Sequence, residues 1–310
     1  MPQTLPNPPA HPSAEFPVEA AALTEAGIRR RYAAPRPLLF WHLASFDAPT
    51  VAVVWSLAFA WVAGIRLPPW IPAALALGVW AVYIGDRLLD ARSGLRSPAR
   101  RTLRERHYFH WRHRRILLPL AAAAACAAAS MVFLFMQKAA REPNSFLAAA
   151  ALAYFSGVHA HRRLPRWLSK ELMVGLIFTA GCALPTWFRV RGGQGSMFWI
   201  FWMPVTCFAA LAWLNCHAIT RWEPGKRTPR AAGVLPLGCL LGLAGIALAL
   251  DTPANHARAS ALLVCAATSA LLLALLDRMS NRLTPTTLRA AADFVLLTPA
   301  LLLARAYWLR

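Results

Sequence analysis

The stretch WAVYIGDRLLD, residues 80–90, decides the fold, and it is followed directly by ARSGLRSPARRTLRERHYFHWRHRR, residues 91–115. The first stretch ends an apolar helix with Asp86 and Asp90, which lie four residues apart and therefore share one helix face. The second stretch contains nine arginines. Acidic residues in or near a membrane span are costly to keep there and usually mark a site. Acids beside arginines suit a site for a divalent cation and a polyphosphate.

The composition is typical of a membrane protein. The chain has 310 residues, of which 58% are hydrophobic and only 15% are charged, whereas about a quarter of the residues in a soluble domain are charged. Apolar runs of about 18 residues or more, the length that crosses a bilayer as a helix, recur along the chain. We therefore predict an all-α, polytopic membrane protein with nine transmembrane helices. The predicted spans are residues 48–65, 71–90, 116–136, 146–159, 171–188, 197–219, 231–250, 259–276 and 290–308.

The basic residues predict the orientation in the membrane. The N-terminal tail and the loops after spans two, four, six and eight contain 24 lysines and arginines, whereas the other loops and the C-terminus contain eight. Because basic loops stay on the cytosolic side, we predict a cytosolic N-terminus and an external C-terminus. The net charge of +20 then belongs to loops that meet lipid headgroups, which argues against nucleic-acid binding. The 30 arginines against three lysines favour a GC-rich bacterial genome and hence a bacterial inner membrane.

The sequence also predicts two regions of the chain and the state of its cysteines. Residues 1–35 are polar and rich in proline, which predicts a disordered cytosolic tail, and residues 36–310 form the predicted transmembrane domain. The six cysteines fall within the apolar spans and form no CxxC pair, so we predict small buried hydrophobic residues, not disulfides or a zinc site. These cysteines are Cys126, Cys182, Cys207, Cys216, Cys239 and Cys265.

Most of the acidic residues at the predicted spans fall at their cytosolic ends. A ring of acids on one face, overlaid by basic loops, predicts a cavity that opens to the cytosol. The alternative is that the acids merely pair with neighbouring arginines. That interpretation is favoured for Asp277 beside Arg278, and it stays open for Asp293, four residues after Arg289. The ring consists of Asp86, Asp90, Glu171, Glu223, Asp277 and Asp293.

The topology and the positions of the polar motifs resemble the UbiA superfamily of intramembrane prenyltransferases. Asp86-x-x-x-Asp90 closes span two, as in the family motif Asn-Asp-x-x-Asp-x-x-x-Asp, although Gly85 stands where an asparagine is expected and no third acid follows. NCHAITRWE, residues 215–223, closes span six where the family has a second Asp-rich motif.

Two basic segments extend the resemblance, which covers about residues 30–308. LPRWLSKE, residues 164–171, resembles the family's basic segment before span five, and the Arg36-Pro37 pair before span one is also family-like. The second motif supplies one amide, Asn215, and one carboxylate, Glu223, where the family usually has aspartates.

The resemblance implies transfer of an isoprenoid chain from a prenyl diphosphate to an aromatic or other lipophilic acceptor. Mg²⁺ would bind the diphosphate and help it to leave, and the allylic cation would react inside an apolar tunnel that excludes water. The catalytic residues would be Asp86, Asp90 and Glu223, and these three together with Asn215 would hold the metal. The diphosphate would be bound by Arg87, Arg92, Arg166, Lys170 and Asn215.

Two other functions stay open. The reduced acid motifs are also compatible with a catalytically silent UbiA-like protein that binds lipid or serves as a partner component. Histidines on two cytosolic loops raise a third hypothesis, a membrane di-iron oxygenase, although their spacing is not that of the usual histidine boxes and arginines interrupt them. These histidines are His107, His110, His113, His159 and His161; His217, near Asn215, is a further candidate site residue.

Overall fold

The computed structural model describes residues 35–96, 105–136, 141, 169–190, 196–222 and 233–308, and the regular elements in these ranges are helices. The predicted all-α class is therefore confirmed. The helices are α1 (Arg36–Leu43), α2 (Asp47–Val62), α3 (Trp70–Arg96), α4 (Glu105–Arg112), α5 (Arg114–Phe135), α6 (Lys170–Trp187), α7 (Ser196–Arg221), α8 (Val234–Asp251), α9 (Ala257–Arg278), α10 (Pro285–Phe294) and α11 (Pro299–Trp308), with short 3₁₀ turns before α9 and α11.

Six of the described helices are long and apolar enough to cross a membrane, and α1 and α2 form a seventh crossing if the bent pair counts as one span. The chain is thus an integral membrane protein. The count of nine stays a prediction: span 146–159 lies outside the described residues, and span 171–188 is the helix α6, which is not among the six. The six are Trp70–Gly94, Arg114–Phe135, Phe198–Arg221, Val234–Asp251, Ala254–Arg278 and Pro285–Ala306.

A sharp bend joins α1 to α2. The two helix axes meet at 88°, and Ser45 at the bend has a φ of 60°, the left-handed region that side chains other than glycine seldom adopt. The bend packs against α3, because the indole N–H of Trp80 donates to the carbonyl of Ala44 at 3.0 Å and the ring of Phe46 stacks on Trp80. The predicted first span begins at residue 48, so the helix α1 was not predicted from the sequence.

The far end of α2 is closed by a Schellman motif. Gly64 takes the left-handed conformation with a φ of 69°. The amide of Gly64 donates to the carbonyl of Trp61, and the amide of Ile65 donates to that of Ala60. This pattern satisfies the last carbonyls of the helix and turns the chain toward α3.

Aromatic side chains fill the centre of the bundle between α2 and α7. The rings of Trp55 and Phe208 stack with their centroids 4.0 Å apart, and Phe59 packs against both. The indole N–H of Trp55 donates to the carbonyl of Leu296 at 2.9 Å, so no polar group of this buried ring is left unmatched. This cluster ties α2, α7 and the segment before α11 into one core.

Small residues let several helices approach closely. A Cβ atom at Gly238 would lie 2.8 Å from the carbonyl oxygen of Ala270, and one at Gly175 would lie 2.9 Å from the amide nitrogen of Trp213. Gly238, Gly242 and Gly245 all face α9 and are therefore packing positions between α8 and α9. On α5, small residues also lie on the buried face: Ala121, Ala124 and Ala128.

Substitution of these glycines tests the close packing. Gly175→Ala and Gly238→Ala should each lower the free energy of unfolding by about 1–3 kcal/mol, since the added methyl group meets backbone atoms that cannot easily shift. Gly85→Ala is the matched control, because a Cβ at Gly85 meets nothing within 4 Å. Thermal unfolding in detergent measures the difference, and equal melting temperatures for all three variants would contradict this packing.

Candidate functional site

Five polar side chains from five different helices meet inside the apolar bundle. His42 and Asp47 are each 1% exposed, Arg87 is 5% and Asn215 is 7% exposed, and the side chain of Asp293 is 17% exposed. We call these five residues the polar centre. Ionisable groups inside a membrane protein are costly to bury and are by default candidates for a functional site.

His42 and Asp47 form the shortest contact of the polar centre. The Nδ1–H of His42 donates to Oδ2 of Asp47 at 2.6 Å, and Oδ1 of Asp47 accepts the backbone N–H of Ala48 at 2.9 Å. The bend between α1 and α2 makes this contact, since it brings the last turn of one helix to the first turn of the next. Asp47 thereby fixes the orientation of the imidazole ring, and the buried Nε2 of His42 has no hydrogen-bond partner among the described residues.

Arg87 supplies the cation of the polar centre. Its Nη2 atom lies 3.6 Å from Oδ2 of Asp47, and its guanidinium carbon lies 5.8 Å from the centroid of the Tyr83 ring, one helical turn earlier on α3. Its Nη1 atom is buried without a hydrogen-bond partner in the described part of the chain. Arg87 therefore compensates the Asp47 charge with one side of the guanidinium and presents unused donors on the other.

Asp293 links the α1–α2 bend to α7. Its Oδ2 atom lies 3.7 Å from Nδ1 of His42, and its Oδ1 accepts the Nδ2–H of Asn215 at 2.9 Å. Asp293 thus has two partners within the polar centre, and a pair with Arg289, four residues earlier, stays a prediction. The Oδ1 atom of Asn215 is buried, and within the described ranges it has no hydrogen-bond partner.

The pairing expected for Asp277 is likewise replaced by other contacts. Its carboxylate accepts the indole N–H of Trp222 at 2.8 Å and the backbone N–H of Leu235 at 3.1 Å, instead of pairing with Arg278. Asp277 thus joins the end of α7 to the start of α8. This is a structural role, because both acceptor oxygens are used to hold helix ends.

The geometry of the polar centre is that of a hydrogen-bonded network. Ligand atoms of His42, Asp47 and Asp293 all lie within 4.8 Å of one another, a spacing that also admits a metal ion. Two ligands of one tetrahedral zinc ion, however, lie roughly 3.3 Å apart. The 2.6 Å between His42 and Asp47 is a hydrogen-bond distance, and Arg87 already compensates the Asp47 charge.

The structure brings together two of the predicted site residues, Arg87 and Asn215, through Asp47, His42 and Asp293. The other predicted residues are not among the five residues of the polar centre, and some fall outside the described ranges. Asp86 is half-buried. Asp90 is exposed, and its Oδ2 atom lies 4.0 Å from Nε2 of His107. Arg92 and Lys170 are also exposed, whereas Arg166 and Glu223 fall outside the described residues.

Sequence reasoning missed His42 and Asp47 as site residues. Neither residue belongs to the motifs on which the predicted site was based. The available signal was a histidine five residues before an acid, both next to apolar segments. Asp293 was placed in the acid ring, but its partners come from distant parts of the chain.

His110 and Ser45 form a second buried contact next to the polar centre. The Nδ1–H of His110 donates to the carbonyl of Arg106 at 2.7 Å, so Nε2 is the acceptor and receives the hydroxyl proton of Ser45 at 3.2 Å. Burial lowers the pKa of His110 to about 4, and the ring is therefore neutral at physiological pH. Both ring nitrogens are used within the protein, which argues against His110 as an iron ligand. His159 and His161 fall outside the described residues.

No family model, curated protein or solved structure matches this chain.

The buried state of His110 predicts a pH dependence of stability. The pKa is about 4 in the folded protein, against an ordinary value of 6.5, so only the unfolded chain binds this proton between these values. Stability should fall as the pH is lowered through this range and level off below it. The melting temperature of His110→Gln should decline less over the same range, whereas His256→Gln should follow the wild type. Parallel curves for wild type and His110→Gln would contradict this assignment.

A double-mutant cycle tests the contact between Asp47 and Arg87. Asp47→Asn and Arg87→Met should each lower the free energy of unfolding by about 3–5 kcal/mol, because each leaves a buried charge without its partner. The double variant should lose less than the sum of the two, by at least about 1 kcal/mol. Denaturation in mixed detergent measures these values, with the exposed Asp251→Asn as control. Strict additivity would show that the two side chains do not interact.

Proposed function

We propose that this chain is an intramembrane prenyltransferase of the UbiA type. It transfers an isoprenoid chain from a prenyl diphosphate to an aromatic or other lipophilic acceptor. One observation carries the proposal: the two segments on which the resemblance depends, at the end of α3 and the end of α7, are joined by one buried polar network from Arg87 to Asn215. In an apolar bundle, such a network is expected where a charged substrate binds.

The residues near the polar centre fit a diphosphate that carries Mg²⁺. Asn215 offers a buried oxygen without a partner among the described residues, and Asp86 and Asp90 add carboxylates from one face of α3. Oxygen donors of this kind, few in number and completed by phosphate oxygens and water, suit magnesium. When bound, the ion would neutralise the leaving diphosphate.

The cations and the apolar interior have separate roles in the proposed reaction. The unused donors of Arg87, with the exposed Arg92 and Lys170, bind and orient the diphosphate. The surrounding aromatic core excludes water from the interior of the bundle, which protects an allylic cation from hydrolysis. The active face is the cytosolic one under the predicted orientation, and the bilayer supplies the lipophilic acceptor.

Binding of a radiolabelled prenyl diphosphate to the purified protein tests the proposal. Wild type should bind it in the presence of Mg²⁺. Asp86→Asn/Asp90→Asn should weaken that binding at least about tenfold, which corresponds to about 1.4 kcal/mol, since the variant lacks both carboxylates that would hold the metal. Asp251→Asn, an exposed acid at the end of α8, is the matched control and should bind like the wild type. The proposal would be refuted if the wild type showed no magnesium-dependent binding, or if the double variant bound the diphosphate as well as the wild type. Either result would favour a catalytically silent membrane protein.

A further inference from the structure

We propose that His42 is the general base that takes a proton from the acceptor, with Asp47 as its positioning residue. This inference rests on the proposed prenyl transfer and deepens it. It also assigns the class of acceptor: an apolar molecule with an acidic X–H group, such as a hydroxylated aromatic ring.

The first argument is the orientation of the imidazole. The Nδ1–H of His42 donates to Asp47 at 2.6 Å, and Asp47 is itself held by the amide of Ala48 and by Arg87. A carboxylate that fixes Nδ1–H leaves the lone pair of the neutral ring on Nε2. A base held by a third group in this way is the usual arrangement of a catalytic histidine.

The second argument is the set of unmatched polar atoms. Three atoms of one network are buried without a hydrogen-bond partner in the described ranges. They are Nε2 of His42, Nη1 of Arg87 and Oδ1 of Asn215. A buried unmatched polar group costs about 1–3 kcal/mol, so such groups are expected to meet a ligand or an ordered water. An X–H group can accept from Arg87 and donate to His42, whereas a purely apolar molecule would match none of the three.

The third argument is the chemistry of the step. A bond forms between the acceptor atom and C1 of the prenyl chain, while the C1–O bond breaks and its electron pair leaves with the diphosphate. The acceptor proton passes to Nε2 of His42, and no oxidant or reductant is needed. Removal of this proton makes the acceptor a stronger nucleophile, and a positioned base contributes about 10²- to 10⁴-fold to such a step.

The competing explanation is that His42 only fastens α1 to α2. Its contact with Asp47 would then matter for folding and not for proton transfer. The two roles predict different outcomes, because a structural histidine affects substrate binding and turnover together, and free imidazole cannot replace it.

The experiment measures transfer of a radiolabelled prenyl group, with Mg²⁺, to a panel of hydroxylated aromatic acceptors by the full-length protein in nanodiscs. Four proteins are compared: wild type, His42→Gln, His42→Ala and the control His256→Gln. The measured quantities are diphosphate binding, kcat and KM of transfer, and melting temperature. His256 lies in the 3₁₀ turn before α9, outside the polar centre. Free imidazole is then added to each variant.

We expect His42→Gln to bind the prenyl diphosphate like the wild type and to transfer it at least about 100-fold more slowly, through kcat. Imidazole should restore transfer by His42→Ala, which leaves space for it, and not by His42→Gln. Unchanged kcat in His42→Gln, or joint loss of binding and transfer with no rescue, would overturn the role of His42 alone. A wild type that prenylates no acceptor would overturn the proposed function itself, and with it this inference.

Discussion

The burial of the Asp47 carboxylate is the constraint on which this structure depends. Asp47 begins a largely apolar helix and is 1% exposed, and an isolated carboxylate in that position would be prohibitively costly. His42, Arg87 and the amide of Ala48 compensate it. The 88° bend between α1 and α2 places His42 within reach, so the fold of the N-terminal helices and the site are one arrangement.

The polar centre lies above an aromatic layer that comes from the same helices. Trp55 follows Asp47 by about two turns on α2, and Phe208 precedes Asn215 by about two turns on α7, and these two rings stack. Leu296, one turn after Asp293, accepts the indole N–H of Trp55. The helices that supply the polar groups therefore also supply an apolar floor beneath them. A reactive cation formed at such a boundary would be held by charge on one side and kept dry on the other.

Much of the fold, but only two of the five residues of the polar centre, could be predicted as such from the sequence. Hydropathy predicted five of the long helices, because each is a long apolar run: α3, α5, α7, α8 and α9. The helix α1 was not predicted, because eight residues are too few to give the hydropathy signal of a membrane span.

The same limit applies to the site. Arg87 and Asn215 were predicted from their place in the motifs. His42, Asp47 and the partners of Asp293 were not, because these contacts depend on how distant helices pack, which periodicity does not encode.

The members of the polar centre are widely spaced along the chain, and this has a consequence for biosynthesis. His42 and Asp47 are five residues apart and their contact is local. Asp47 can therefore enter the bilayer already hydrogen-bonded to its neighbour, before the ribosome has made any other member. Arg87 joins one helix later, while Asn215 and Asp293 are synthesised only after several further helices. The most deeply buried carboxylate is thus the first to receive a hydrogen-bond partner, and its counterion follows with the next helix.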